Sequence, residues 1–144
     1  MVYTDDVTGA SWRTGDDGAD RVESRFARSY RLHGFTVLEL HGEIDLAAQL
    51  DVEPYLDVIT GAPVPRVVID LSRTDFLDCS GLRLLVRARI RTDDRGGELR
   101  VVCPESAAPH RVMRCCGLLD ALEPVPTLAE ALSEENPGAV AGQT

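Results

Sequence analysis

Residues 66–71 read Arg-Val-Val-Ile-Asp-Leu, with three β-branched apolar side chains in succession at the centre. They lack the alternation of a strand that faces water on one side, so the run suits a strand covered on both faces. Such a strand needs layers above and below its sheet, and the neighbouring segments supply them. Residues 26–32 alternate weakly and residues 35–40 strongly, with His33-Gly34 between them, and the pair reads as a hairpin. Gly42-Glu43-Ile44-Asp45 closes the second strand. Residues 46–59 set Leu46, Leu50, Tyr55, Leu56 and Ile59 at mostly helical spacing, and Pro54 is expected to kink or restart that helix. Beyond Gly61-Ala62-Pro63 and the central strand, a helix over 80–92 carries Leu82, Leu85, Val86 and Ile90 on one face. Arg83, Arg87 and Arg91 recur every four residues on another face, which reads as solvated or as the rim of a binding surface.

Residues 98–103 form a further strand that Pro104 stops. A helix capped by Ser106 is expected to run to about Cys116, with Val112, Met113 and Cys116 inward and Gly117 in the left-handed stop position. Thr127-Leu128-Ala129-Glu130 has the form of a capping box and opens a last helix ending near Ser133. The expected fold is α/β, a single domain with a mixed central sheet of about four to five strands flanked by about four helices. With 144 residues there is room for one core. Residues 1–24 are expected to be a disordered acidic leader, 25–134 the domain, and 135–144, around Asn136-Pro137-Gly138, a flexible tail.

The charge balance narrows the function. There are 24 acids against 15 bases, a net charge of −9, so nucleic acid and anionic membrane are disfavoured as partners. Every base is Arg, which closes mechanisms that require a Schiff-base or phosphate-loop lysine. Neither an apolar span nor a signal peptide is visible, and a cytoplasmic monomer is expected. A metal site from Cys103, His110, Cys115 and Cys116 lacks paired C-x-x-C spacing, and the four cysteines, Cys79 included, read as small reduced core residues with no metal.

The most informative stretch is Thr74-Asp75-Phe76-Leu77-Asp78-Cys79-Ser80-Gly81-Leu82, between the central strand and the Arg-striped helix. It puts an exposed hydroxyl at a helix start, where an added anion is stabilised by free amides and the helix dipole. Ser80 is therefore suited to phosphorylation, although spacing alone favours a plain N-cap, the commoner use of a Ser at a helix start. A cysteine phosphatase loop built on Cys79 would need an Arg where Leu85 stands. The serine-hydrolase elbow fails at Asp78 and Leu82, and His33, His41 and His110 lie in other segments. No catalytic residue is assigned.

Asp78-Cys79-Ser80-Gly81-Leu82, with Gly42-Glu43-Ile44-Asp45 upstream and Gly117-Leu118-Leu119-Asp120 then Leu128-Ala129-Glu130-Ala131-Leu132 downstream, resembles the STAS domain of bacterial anti-sigma factor antagonists. The resemblance spans about residues 25–133 in order. It implies that Ser80 is phosphorylated by an anti-sigma factor that is itself a serine kinase. It further implies that the unmodified protein binds that kinase and so releases a sigma factor, and that a PP2C-type phosphatase reverses the modification. On this reading the domain is no enzyme and needs no cofactor, ATP and Mg²⁺ belonging to the kinase. The candidate partner-binding residues are Asp78, Cys79, Ser80, Gly81 and Leu82, with Glu43, Asp45 and Arg83; Asp78, Glu43 and Asp45 also read as turn residues, and Arg83 as part of a solvated face. A STAS accessory subunit of a transport or scaffolding complex, never phosphorylated, is the alternative. Cys79 stands where many family members have Ser or Thr, and Pro54 lies further into its helix than is usual for the family.

Overall fold

In the computed structural model of the chain, which describes residues 13–14 and 22–133, the sheet opens with the strands β1 (Arg13–Thr14), β2 (Val22–Glu23), β3 (Ala27–Leu32) and β4 (Phe35–Leu40). The short β5 (Gly42–Ile44) leads into helix α1 (Leu46–Thr60), and the central strand β6 (Arg66–Asp70) follows. Next come β7 (Thr74–Leu77), helix α2 (Cys79–Asp94) and β8 (Glu98–Val102). Three shorter helices close the domain, α3 (Ala108–Cys115), α4 (Leu119–Leu122) and α5 (Leu128–Leu132).

The main sheet has six strands in the order β1-β2-β3-β4-β6-β8. The first four pair antiparallel and β4, β6 and β8 run parallel, a mixed sheet as expected. β5 and β7 form a separate parallel pair. Two pieces of the acidic leader are strands that extend the sheet, and the rest of 1–21, like the tail from 134 onward, lies outside the described residues.

The hairpin turn forms where His33 and Gly34 both take positive φ, 51° and 82°, a backbone that glycine adopts without strain. The central strand is covered on both sides. Val67 and Ile69 join the larger core cluster with Ala48, Val52 and Leu56 of α1, Leu84, Leu85 and Ala88 of α2, and Met113 of α3. Val68 faces the other way, into a smaller cluster with Phe35, Val37, Val102, Val125 and Ala131.

Several expectations are corrected. α1 passes through Pro54 without restarting, and it buries Ala48, Val52, Tyr55 and Leu56, leaving Leu46 and Leu50 58% and 68% exposed. The small Ala48 lets that face approach the sheet, and the Tyr55 hydroxyl donates to Ser29 Oγ at 2.9 Å to hold it there. α2 buries Leu84 and leaves Ile90 exposed. α3 is not capped by Ser106: its N-cap position is Ala107, without a side-chain bond, and Pro109 stands in the first turn. Only Cys103 of the four cysteines is buried; Cys79, Cys115 and Cys116 are exposed, so Cys116 does not point inward. Gly117 does take a left-handed φ of 73°. The Thr127 hydroxyl accepts from the Glu130 amide at 3.2 Å, one half of the capping box expected of α5. Helix α4 and strands β5 and β7 were not foreseen, being three or four residues long.

Candidate functional site

The β5–β7 pair aligns two strand ends, Ile44 opposite Leu77 and Glu43 opposite Phe76. Each strand runs directly into a helix through an Asp. Asp45 caps α1, its Oδ1 accepting from the Ala48 amide at 3.1 Å. Asp78 caps α2, its Oδ1 accepting from the amides of Ser80 at 2.8 Å and Gly81 at 3.3 Å. The Asp78 amide donates to the Ile44 carbonyl at 3.4 Å, so the two helices begin side by side. This brings Glu43 and Asp45 next to the Asp78–Leu82 segment.

Ser80 is thus not the N-cap. A carboxylate one step earlier reaches two amides, and Ser80 becomes the second residue of the helix, half-buried rather than exposed. Its hydroxyl is left out of the capping bonds. Cys79 and Arg83 are exposed, Leu82 is buried, and Gly81 packs against Leu77 and Ile44. Glu43 and Asp45 are exposed.

Polar contacts fix this platform to the sheet. Thr74 Oγ1 donates to the Leu40 carbonyl at 2.9 Å, and the Gly42 amide to the Arg73 carbonyl at 3.0 Å. Glu39, 5% exposed, bonds His41 Nε2 at 2.7 Å and pairs with Arg28 at 3.2 Å. His110 lies against Arg114, so neither of these histidines is engaged with Ser80.

The Arg stripe is largely structural. Asp57 of α1 receives Arg87 Nε at 2.7 Å and its other arm at 2.8 Å, and this hydrogen bond raises the Arg87 pKa above its ordinary value against the opposing effect of burial. Arg91 donates to Thr60 Oγ1 at 2.8 Å and to the Asp57 carbonyl at 2.9 Å. These bonds clip α1 to α2. Beside them runs a groove of about 370 Å³ lined by Leu82, Arg83, Val86, Arg87, Ile90 and Arg91.

Exposed apolar side chains, Phe76 on β7 and Leu46 and Leu50 on α1, stand on the elements that carry the site and were not singled out for it in the sequence. Phe76 lies inside the informative stretch and opposite Glu43, which only the pairing reveals. Among the described residues no group of three or more His, Cys, Asp or Glu is placed to hold a metal ion.

The STAS domain family model matches residues 27–131. The anti-sigma-F factor antagonist RsfA of Mycobacterium tuberculosis is 32% identical over 100 residues, covering 67% of this chain and 77% of that protein. The crystal structure of an anti-sigma factor antagonist from Mycobacterium paratuberculosis is similar with a TM-score of 0.66 and 28% identity, over 74% of this chain and 89% of that one. The structure of the Bacillus cell fate determinant SpoIIAA in its phosphorylated form shares the fold, with a TM-score of 0.56 and 19% identity over 74% and 96% of the two chains.

Proposed function

On the premise that this chain belongs to the STAS-domain family of anti-sigma factor antagonists, we propose that it binds a serine-kinase anti-sigma factor and is switched off by phosphorylation at Ser80. The observation that carries this reading is the position of Ser80. It lies in the first turn of α2 with its hydroxyl outside the Asp78 cap, beside the start of α1 and the exposed Glu43 and Asp45. The Ser80 hydroxyl takes the γ-phosphoryl group of ATP held by the kinase, its proton leaves to the kinase, and ADP departs. Nothing in this scheme asks the domain for catalysis or a cofactor.

The phosphate adds about −1.5 to −2 charges to a surface that already holds Asp78, Asp45 and Glu43. A partner face packed there meets a new desolvated charge and its bulk, and the complex weakens by about 2–3 kcal/mol. The capping bonds do not involve the Ser80 hydroxyl, so the fold stays as it is. A PP2C-type phosphatase restores the binding form. The activity is exercised in the cytoplasm, where sigma factors work, with the protein as a monomer, and no described helix is long and apolar enough to cross a membrane.

The experiment is phosphate transfer from ATP by the serine-kinase anti-sigma factors of the host, with Ser80→Ala as control and complex formation read in parallel. Transfer lost in the Ala variant, with phosphorylation dissolving the complex, is the expected result. A protein that no such kinase binds or labels is instead a STAS accessory subunit, and Ser80 is then a residue of the first helical turn and no more.

A further inference from the structure

Helix α2 carries four arginines, and three of them are committed. Arg87 holds Asp57, and Arg91 holds Thr60 and the Asp57 carbonyl. Arg89 donates to the Ala121 carbonyl at 3.1 Å and reaches Asp93 at 3.4 Å. Arg83 is exposed and, among the described residues, has no hydrogen-bond or ion-pair partner.

Arg83 stands three residues after Ser80, and side chains three apart on a helix are neighbours, about 5–6 Å between their Cβ atoms. Helical side chains also lean toward the helix N-terminus, which carries the guanidinium of Arg83 toward Ser80. The two amides nearest Ser80 that would attract an anion, its own and that of Gly81, are already held by Asp78. A phosphate on Ser80 therefore finds its partner in the uncommitted fork of Arg83, which matches phosphate oxygens two at a time.

We propose that Arg83 reads the phosphorylation state of Ser80. In the unmodified protein its guanidinium, at the N-terminal end of the groove along α2, meets a carboxylate of the anti-sigma factor; in the modified protein the phosphate captures it. The inference rests on Ser80 being the phosphoacceptor, and it gives the switch a second component. The partner's acidic group loses its counter-charge at the same moment as the phosphate arrives.

The test uses the full chain with phosphoserine encoded at position 80, so that no kinase is needed, and follows the phosphate by phosphorus NMR across pH. Pairing favours the dianion, so the second ionisation should lie about half a pH unit lower with Arg83 than in Arg83→Ala, and Arg83→Lys should largely restore the low value. Equal values in wild type and Arg83→Ala overturn the capture. In a second arm, unmodified Arg83→Ala should bind the kinase about tenfold more weakly than wild type; equal binding overturns the contact with the partner. A kinase that fails to bind even the wild type refutes the functional reading, while the titration still decides whether phosphate and Arg83 pair.

Discussion

Gly81 lies so close to Leu77 that a methyl group added to it would meet Leu77 Cβ at 2.5 Å and the Ile44 carbonyl at 3.0 Å. The first turn of α2 is seated directly on the β5–β7 pair because this residue has no side chain. Gly81→Ala should therefore destabilise the domain by about 1–3 kcal/mol, the usual penalty of overpacking. Chemical denaturation followed by circular dichroism measures it, and an unchanged midpoint would mean that the strands yield without penalty.

The cap on α2 separates shape from charge. Asp78→Ala should lower stability by about 1 kcal/mol, because the amides of Ser80 and Gly81 lose their acceptor. Asp78→Asn keeps an acceptor oxygen and should stay within a few tenths of a kcal/mol of wild type. Comparing kinase transfer to the two variants then tells whether the carboxylate charge, beyond the cap, matters to recognition.

A double-mutant cycle on Asp57 and Arg87 should yield a coupling of about 1 kcal/mol or less. Their side chains remain 32% and 39% exposed, which screens the pair. The coupling should shrink as salt is raised. A value near zero at low salt would leave the α1–α2 clip to Arg91 and the apolar contacts.

Thiol labelling of the native protein should modify Cys79, Cys115 and Cys116 quickly and Cys103 only on unfolding. Burial pushes the Cys103 thiol up from an ordinary 9.0 to about 11. The folded state thus holds its proton where the unfolded state has released it. This contribution to stability is complete below pH 9, and it is lost progressively as pH rises through about 11. Denaturation midpoints should fall across that window, and the fall should diminish in Cys103→Ala.

What the sequence revealed followed from what local rules control. The His33-Gly34 turn and the Val67-Val68-Ile69 centre of β6 were legible because backbone freedom and unbroken apolar composition act within a few residues. The orientation of α1 was not. Leu46 and Leu50 have the spacing of core residues, yet the helix turns Ala48 and Val52 to the sheet, a choice made by the fit of small side chains and by the Tyr55–Ser29 bond across 26 positions. Arg87 and Arg91 looked like a solvated stripe because their partners, Asp57 and Thr60, lie on another helix. At the site, the Asp78–Leu82 motif and its acidic neighbours could be read, but the step from Ser80 to Asp78 as the cap depends on which side-chain oxygen reaches the amides.

The acidic turn at Asp45 and the serine at position 80 become neighbours only through the β5–β7 pairing, which joins segments more than thirty residues apart and is itself anchored by Thr74 to the end of β4. No short peptide cut from this chain contains the whole surface. On the proposed reading, recognition is thereby coupled to complete folding: a molecule that is newly made and unfinished, heat-damaged or clipped between the two segments would not compete for the partner. Any response driven by this surface counts intact domains rather than copies of a motif.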